Sequence, residues 1–110
     1  VLVSTAAGST AYNLSAHGSI IPLDSKLLAL TPISAFRPRR WRGALISEKM
    51  KINLYVNDSN IRFSSVTADH NEFRNIEEVE IISSKDDVCN LLFNNHHSME
   101  ERILKEQFTQ

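Results

Sequence analysis

The chain has 110 residues, 42% of them hydrophobic, which is enough for one core of ordinary size and argues against two domains. Twelve basic against thirteen acidic side chains leave a net charge of −1, which argues against a general nucleic-acid or anionic-membrane binder that works by bulk electrostatics. No run approaches the ~20 apolar residues of a spanning helix, and the single cysteine, Cys89, has no internal disulfide partner, so a soluble protein of a reducing, cytoplasmic compartment is expected.

The chain opens at Val1, already inside an apolar run, which reads as a piece of a longer polypeptide. Val1 to Thr5 is predicted to be a strand, followed by a small-residue loop in which Gly8 permits close backbone approach. Ser9 or Thr10 is placed to cap a helix that runs to about His17 and stops at Gly18. Free amides at such a junction favour phosphates, riboses and other polar ligand atoms. With only Gly8, Gly18 and Gly43 in the chain, a Gly-rich phosphate cradle is excluded.

Lys26 to Thr31 is a short apolar run closed by Pro32 and reads as a strand, with Gly43 to Ile46 as another. From Met50 to Val56 apolar and polar residues alternate, which is the pattern of a half-buried strand. The turn residues Asn57-Asp58-Ser59-Asn60 lead into a second alternating segment, Ile61 to Val66, so the two are predicted to pair as a hairpin. Asp69-His70-Asn71-Glu72 is a further turn, and Phe73 to Ile76, Val79 to Ser83 and Val88 to Phe93 are short strands. Ser98 and Glu101 form a capping box for a terminal helix with Met99, Ile103, Leu104 and Phe108 near one face. Turn signals recurring every roughly eight to twelve residues indicate a mainly β fold, an antiparallel β-sandwich-like domain with a short helix after the first strand and a helix at the C-terminus.

Gly8-Ser9-Thr10-Ala11-Tyr12-Asn13-Leu14-Ser15, then Gly18, then Leu30-Thr31-Pro32-Ile33 after an apolar strand, resembles the C-terminal domain of bacterial NAD kinases. Phe36 to Gly43, the Val66-Thr67-Ala68-Asp69-His70 turn and Ser98 to Leu104 extend the likeness over nearly the whole chain. Two stretches depart from the family pattern. Many members have Thr-Pro-Thr-Gly where this chain has Thr5-Ala6-Ala7-Gly8, and Gly-Gly-Pro where it has His17-Gly18-Ser19, which frees the backbone more than it changes the chemistry.

The resemblance implies a protein that phosphorylates the 2′-hydroxyl of the adenosine ribose of NAD to give NADP, with ATP or polyphosphate as donor and a divalent metal, magnesium. It further implies that residues 1–110 are the NAD-binding domain, that the catalytic aspartate lies in an upstream Gly-Gly-Asp-Gly segment of an N-terminal α/β domain, and that the protein assembles as a dimer or tetramer. No catalytic or metal-binding residue is expected within this chain.

The same likeness places Thr10, Ala11, Tyr12 and Ser15 against the adenosine part of NAD, and Ser34 and Phe36 near the substrate. His70 is a candidate for a phosphate contact. The residue types suit those roles. Ala11 lets an aromatic base approach, Tyr12 offers a flat surface with a polar tip, and two hydroxyls reach ribose or base edges. Asn13 faces elsewhere and reads as structural. On residue chemistry alone, a packed aromatic is the favoured reading of Tyr12 and a plain hairpin turn that of Asp69-His70.

Arg37, Arg39, Arg40 and Arg42 with Trp41 form a basic loop fit for phosphate or for a subunit contact, without the aromatic platform of a single-strand binder. His96-His97 beside Cys89 lacks a standard zinc spacing, and the acidic pairs sit in turns or a first helical turn. A non-catalytic nucleotide-binding or oligomerisation module is the competing reading, and a lipid kinase of related architecture a third.

Overall fold

A computed structural model describes residues 1–36, 40–58, 60–88 and 92. Residues 37–39 of the predicted basic loop 37–42, most of the predicted strand at 88–93 and the whole of the predicted terminal helix lie outside the described residues. The described chain holds seven strands and one short helix, and every pairing among these strands is antiparallel. Two compact units emerge: residues 1–48 with the segment from Lys85 onward, and Lys49–Ser84.

In the first unit, β1 (Leu2–Ser4), β2 (Leu27–Thr31) and β3 (Ala44–Ser47) form a three-stranded sheet with β2 in the middle. Leu2 lies opposite Thr31, and Leu28 opposite Ile46. Consecutive side chains of a strand point to opposite faces, yet Leu28 and Ala29 are both buried, so this central strand is covered on both sides. Ile21 joins them, and the same interior holds the polar side chains of Ser4, Ser9, Asn13 and Thr31. Gly43 enters β3 at φ 106°, a backbone conformation that a side chain resists, and a Cβ there would strike the Leu30 carbonyl oxygen.

The helix α1 (Tyr12–Ser15) is a single turn, shorter than the one predicted. Its end is a Schellman closure: the Gly18 amide donates to the Asn13 carbonyl at 2.8 Å and the His17 amide to the Leu14 carbonyl at 3.0 Å. The left-handed residue is His17 (φ 63°) rather than the glycine. Gly18 is needed for another reason, since a Cβ there would overlap Asn13 Oδ1 and lie 2.6 Å from Thr31 Oγ1.

The second unit is a nested antiparallel arm. Its outer pair is β4 (Ile52–Tyr55) with β7 (Glu78–Ile81), and its inner pair is β5 (Ser65–Ala68) with β6 (Asn71–Arg74). The predicted hairpin of 50–56 with 61–66 is therefore corrected. Asp58 turns left-handed (φ 56°) and its carbonyl accepts from the amides of Ile61 and Arg62, which turns the chain away from β4. Apolar matching settles the partner: Ile52 faces Ile81 and Leu54 faces Val79 on one side, while Asn53, Tyr55, Glu78 and Glu80 share the exposed side.

The inner hairpin turns on Asp69 and His70 alone, with Asp69 at φ 54°, so Asn71 and Glu72 already belong to a strand. Asn75 (φ 55°) ends that strand before Ile76, so it lies two residues earlier than the predicted one. Lys51 and Glu80 form an exposed ion pair at 3.6 Å.

Candidate functional site

The loop 5–11 and α1 bring four of the candidate residues together. Thr10 is half-buried, whereas Ala11, Tyr12 and Ser15 are exposed, Tyr12 at 66%. Asn13, one step along the same turn, is 1% exposed. The turn thus has an inner side carrying Asn13 and an outer side carrying Tyr12 and Ser15.

The expected capping is corrected. The cap position is Ala11, whose methyl side chain makes no hydrogen bond, and the Ser9 hydroxyl is engaged elsewhere. It donates to the Ala6 carbonyl at 2.7 Å and accepts the Ile21 amide at 2.9 Å, in full burial. The amides expected to greet a ligand are also used inside the loop: Gly8 N–H bonds Thr5 Oγ1, Ser9 N–H the Ala6 carbonyl, and Ala11 N–H the Gly8 carbonyl. What the corner offers a ligand is therefore its outward side chains rather than those backbone donors.

The inner side is a closed polar network. Asn13 Nδ2 donates to the Ser9 carbonyl at 3.0 Å and to the Ser19 carbonyl at 2.9 Å, and Asn13 Oδ1 accepts a short bond from the Thr31 hydroxyl. Among the described residues, no buried side-chain nitrogen or oxygen lacks a partner. This agrees with a structural Asn13. Ser9 is expected as a candidate cap and Thr31 only as part of the Leu30-Thr31-Pro32-Ile33 motif; their places in this network are new, and the one signal for Thr31 was a hydroxyl ending an otherwise apolar strand.

Ser34 and Phe36 follow the end of β2, three and five residues past Thr31; both are exposed, and Ser34 is left-handed at φ 57°. They leave the sheet from the strand end to which Asn13 is bonded. His70 is exposed on the β5–β6 turn of the other unit. Arg40, Trp41 and Arg42 are exposed, and Arg37 and Arg39 lie outside the described residues. Among the described residues no three His, Cys, Asp or Glu side chains gather to hold a metal, and no helix is long and apolar enough to cross a membrane.

The chain matches the family model described as the ATP-NAD kinase C-terminal domain over residues 1–91. It is 54% identical over 107 residues to a protein named NAD kinase from Rickettsia felis, covering 97% of this chain and 42% of that protein. Proteins of the same name from Rickettsia rickettsii (strain Sheila Smith) and Rickettsia bellii are each 53% identical over 107 residues, again covering 97% of this chain and 42% of theirs. The chain thus spans less than half the length of these curated relatives. No solved structure matches it significantly.

Proposed function

Because this chain belongs to the ATP-NAD kinase C-terminal domain family, we propose that the polypeptide containing it transfers a phosphoryl group from ATP or polyphosphate to the 2′-hydroxyl of the adenosine ribose of NAD, giving NADP. The family match over residues 1–91 carries the reaction, and the two-sided corner at α1 supports a positioning role for this segment.

In this reading Tyr12 stacks on the adenine, Ala11 leaves room for the base, and the hydroxyls of Thr10 and Ser15 bond ribose or base edges. Ser34 and Phe36 flank the same ligand, and His70 contacts a phosphate. Phosphoryl transfer depends mainly on positioning and on stabilising charge on the transferred group. The group that accepts the 2′-hydroxyl proton belongs to an upstream α/β domain, in a Gly-Gly-Asp-Gly segment that this chain does not contain. A divalent metal would accompany the donor, and among the described residues no cluster of three His, Cys, Asp or Glu side chains gathers to hold one. A cytoplasmic homo-oligomer, dimer or tetramer, completes the proposal.

The test is NADP formation by the full-length polypeptide supplied with NAD, magnesium and either ATP or polyphosphate. Turnover with one of these donors is the expected result, with none from the 110-residue segment alone. A folded full-length protein that binds nucleotide but yields no NADP with any donor would move the assignment to a non-catalytic binding module. Turnover by the isolated segment would overturn the proposed division of labour.

A further inference from the structure

We infer that Asn13, held by the Thr31 hydroxyl, is a positioning residue: its carboxamide sets the direction in which Tyr12 and Ser15 face relative to the end of β2, from which Ser34 and Phe36 depart. The inference rests on the reading that this edge takes NAD.

A one-turn helix has too few internal bonds to fix its own orientation. Asn13 supplies three external points of attachment. The carbonyls of Ser9 and Ser19 can only accept, so they hold the amide nitrogen on their side and turn the oxygen toward Thr31. A buried network satisfied in this way is directional, whereas an apolar side chain of the same volume would fill the space and leave the rotation of the turn free.

Thr31 is the last residue of β2 and is paired with Leu2, so the bond ties the turn to the sheet rather than to another loop. Gly18 completes the lock, because any Cβ there would displace the Asn13 carboxamide from Thr31. Tyr12 is adjacent to one end of this bond and Ser34 follows three residues after the other. A single side-chain hydrogen bond therefore sets the two halves of the proposed NAD-contacting edge relative to each other.

The experiment compares the full-length protein with its Thr31→Val and Thr31→Ser variants, reading KM and kcat for NAD and for ATP together with amide hydrogen exchange of residues 9–18. Thr31→Val keeps the shape and removes the hydroxyl. It should raise KM for NAD about tenfold, with kcat and KM for ATP nearly unchanged, and exchange at 9–18 should quicken. Thr31→Ser should restore both readouts. A folded Thr31→Val protein with wild-type KM for NAD, or a Thr31→Ser variant as impaired as Thr31→Val, would overturn the inference.

If Thr31→Val does not fold, Thr31→Cys, a weaker donor at the same place, is read for the same split between KM and kcat. If the wild-type protein makes no NADP, the functional reading falls and exchange alone judges the lock. Faster exchange at 9–18 in the variant, restored by serine, supports the lock, and unchanged exchange overturns it.

Discussion

Two tyrosines of nearly equal exposure, Tyr12 at 66% and Tyr55 at 69%, stand on regions built by different physics. Tyr12 sits on a single helical turn whose inner side is fixed by buried polar bonds among Ser9, Asn13, Thr31 and the backbone of Ser19 and Ile21. Tyr55 sits on a strand whose opposite face is held by ladder bonds and by the apolar pairs Ile52–Ile81 and Leu54–Val79. Apolar contacts tolerate a change of shape at a graded cost, while a buried polar network fails once a member is displaced or left unpaired. The first arrangement suits a place where side-chain direction matters, the second a surface that tolerates substitution.

Substitutions can break or sharpen that contrast. The largest effect is expected from Gly18→Ala, whose methyl group overlaps Asn13 and crowds Thr31. Strain plus broken buried bonds should cost about 4 kcal/mol, read by denaturant unfolding of the full-length protein. Next comes Ser9→Ala, which leaves the Ile21 amide without its buried acceptor and should cost about 2 kcal/mol in the same assay. In the second unit, Ile52→Val removes one methylene from the most buried of its described side chains and should cost only about 1 kcal/mol. If the arm's loss exceeded that of Ser9→Ala, the contrast between the two regions would not stand.

The sequence made β1, β2, β3 and β4 legible to within two residues at each end, because each is an apolar or alternating run bounded by turn residues. It was less informative about pairing. The partner of β4 depends on left-handed residues at Asp58 and Asn75, which bend the chain so that Ile52 and Leu54 meet Ile81 and Val79 instead of the nearer segment. Local capping rules likewise favoured Ser9, but its hydroxyl is claimed by Ile21, twelve residues away, a contact no local pattern encodes. The family was legible in Gly8 to Ser15 and is shown by the match over residues 1–91. The Asn13–Thr31 bond was not, since it joins residues eighteen positions apart.

The most direct measurement of the central claim is the KM for NAD of the full-length protein carrying Tyr12→Ala beside the same protein carrying Tyr55→Ala. Loss of a stacking aromatic should raise KM for NAD roughly ten- to a hundredfold in the Tyr12 variant, with Tyr55→Ala at the wild-type value. Equal KM values for both variants and the wild type, in folded proteins that make NADP, would contradict the assignment of this corner to NAD.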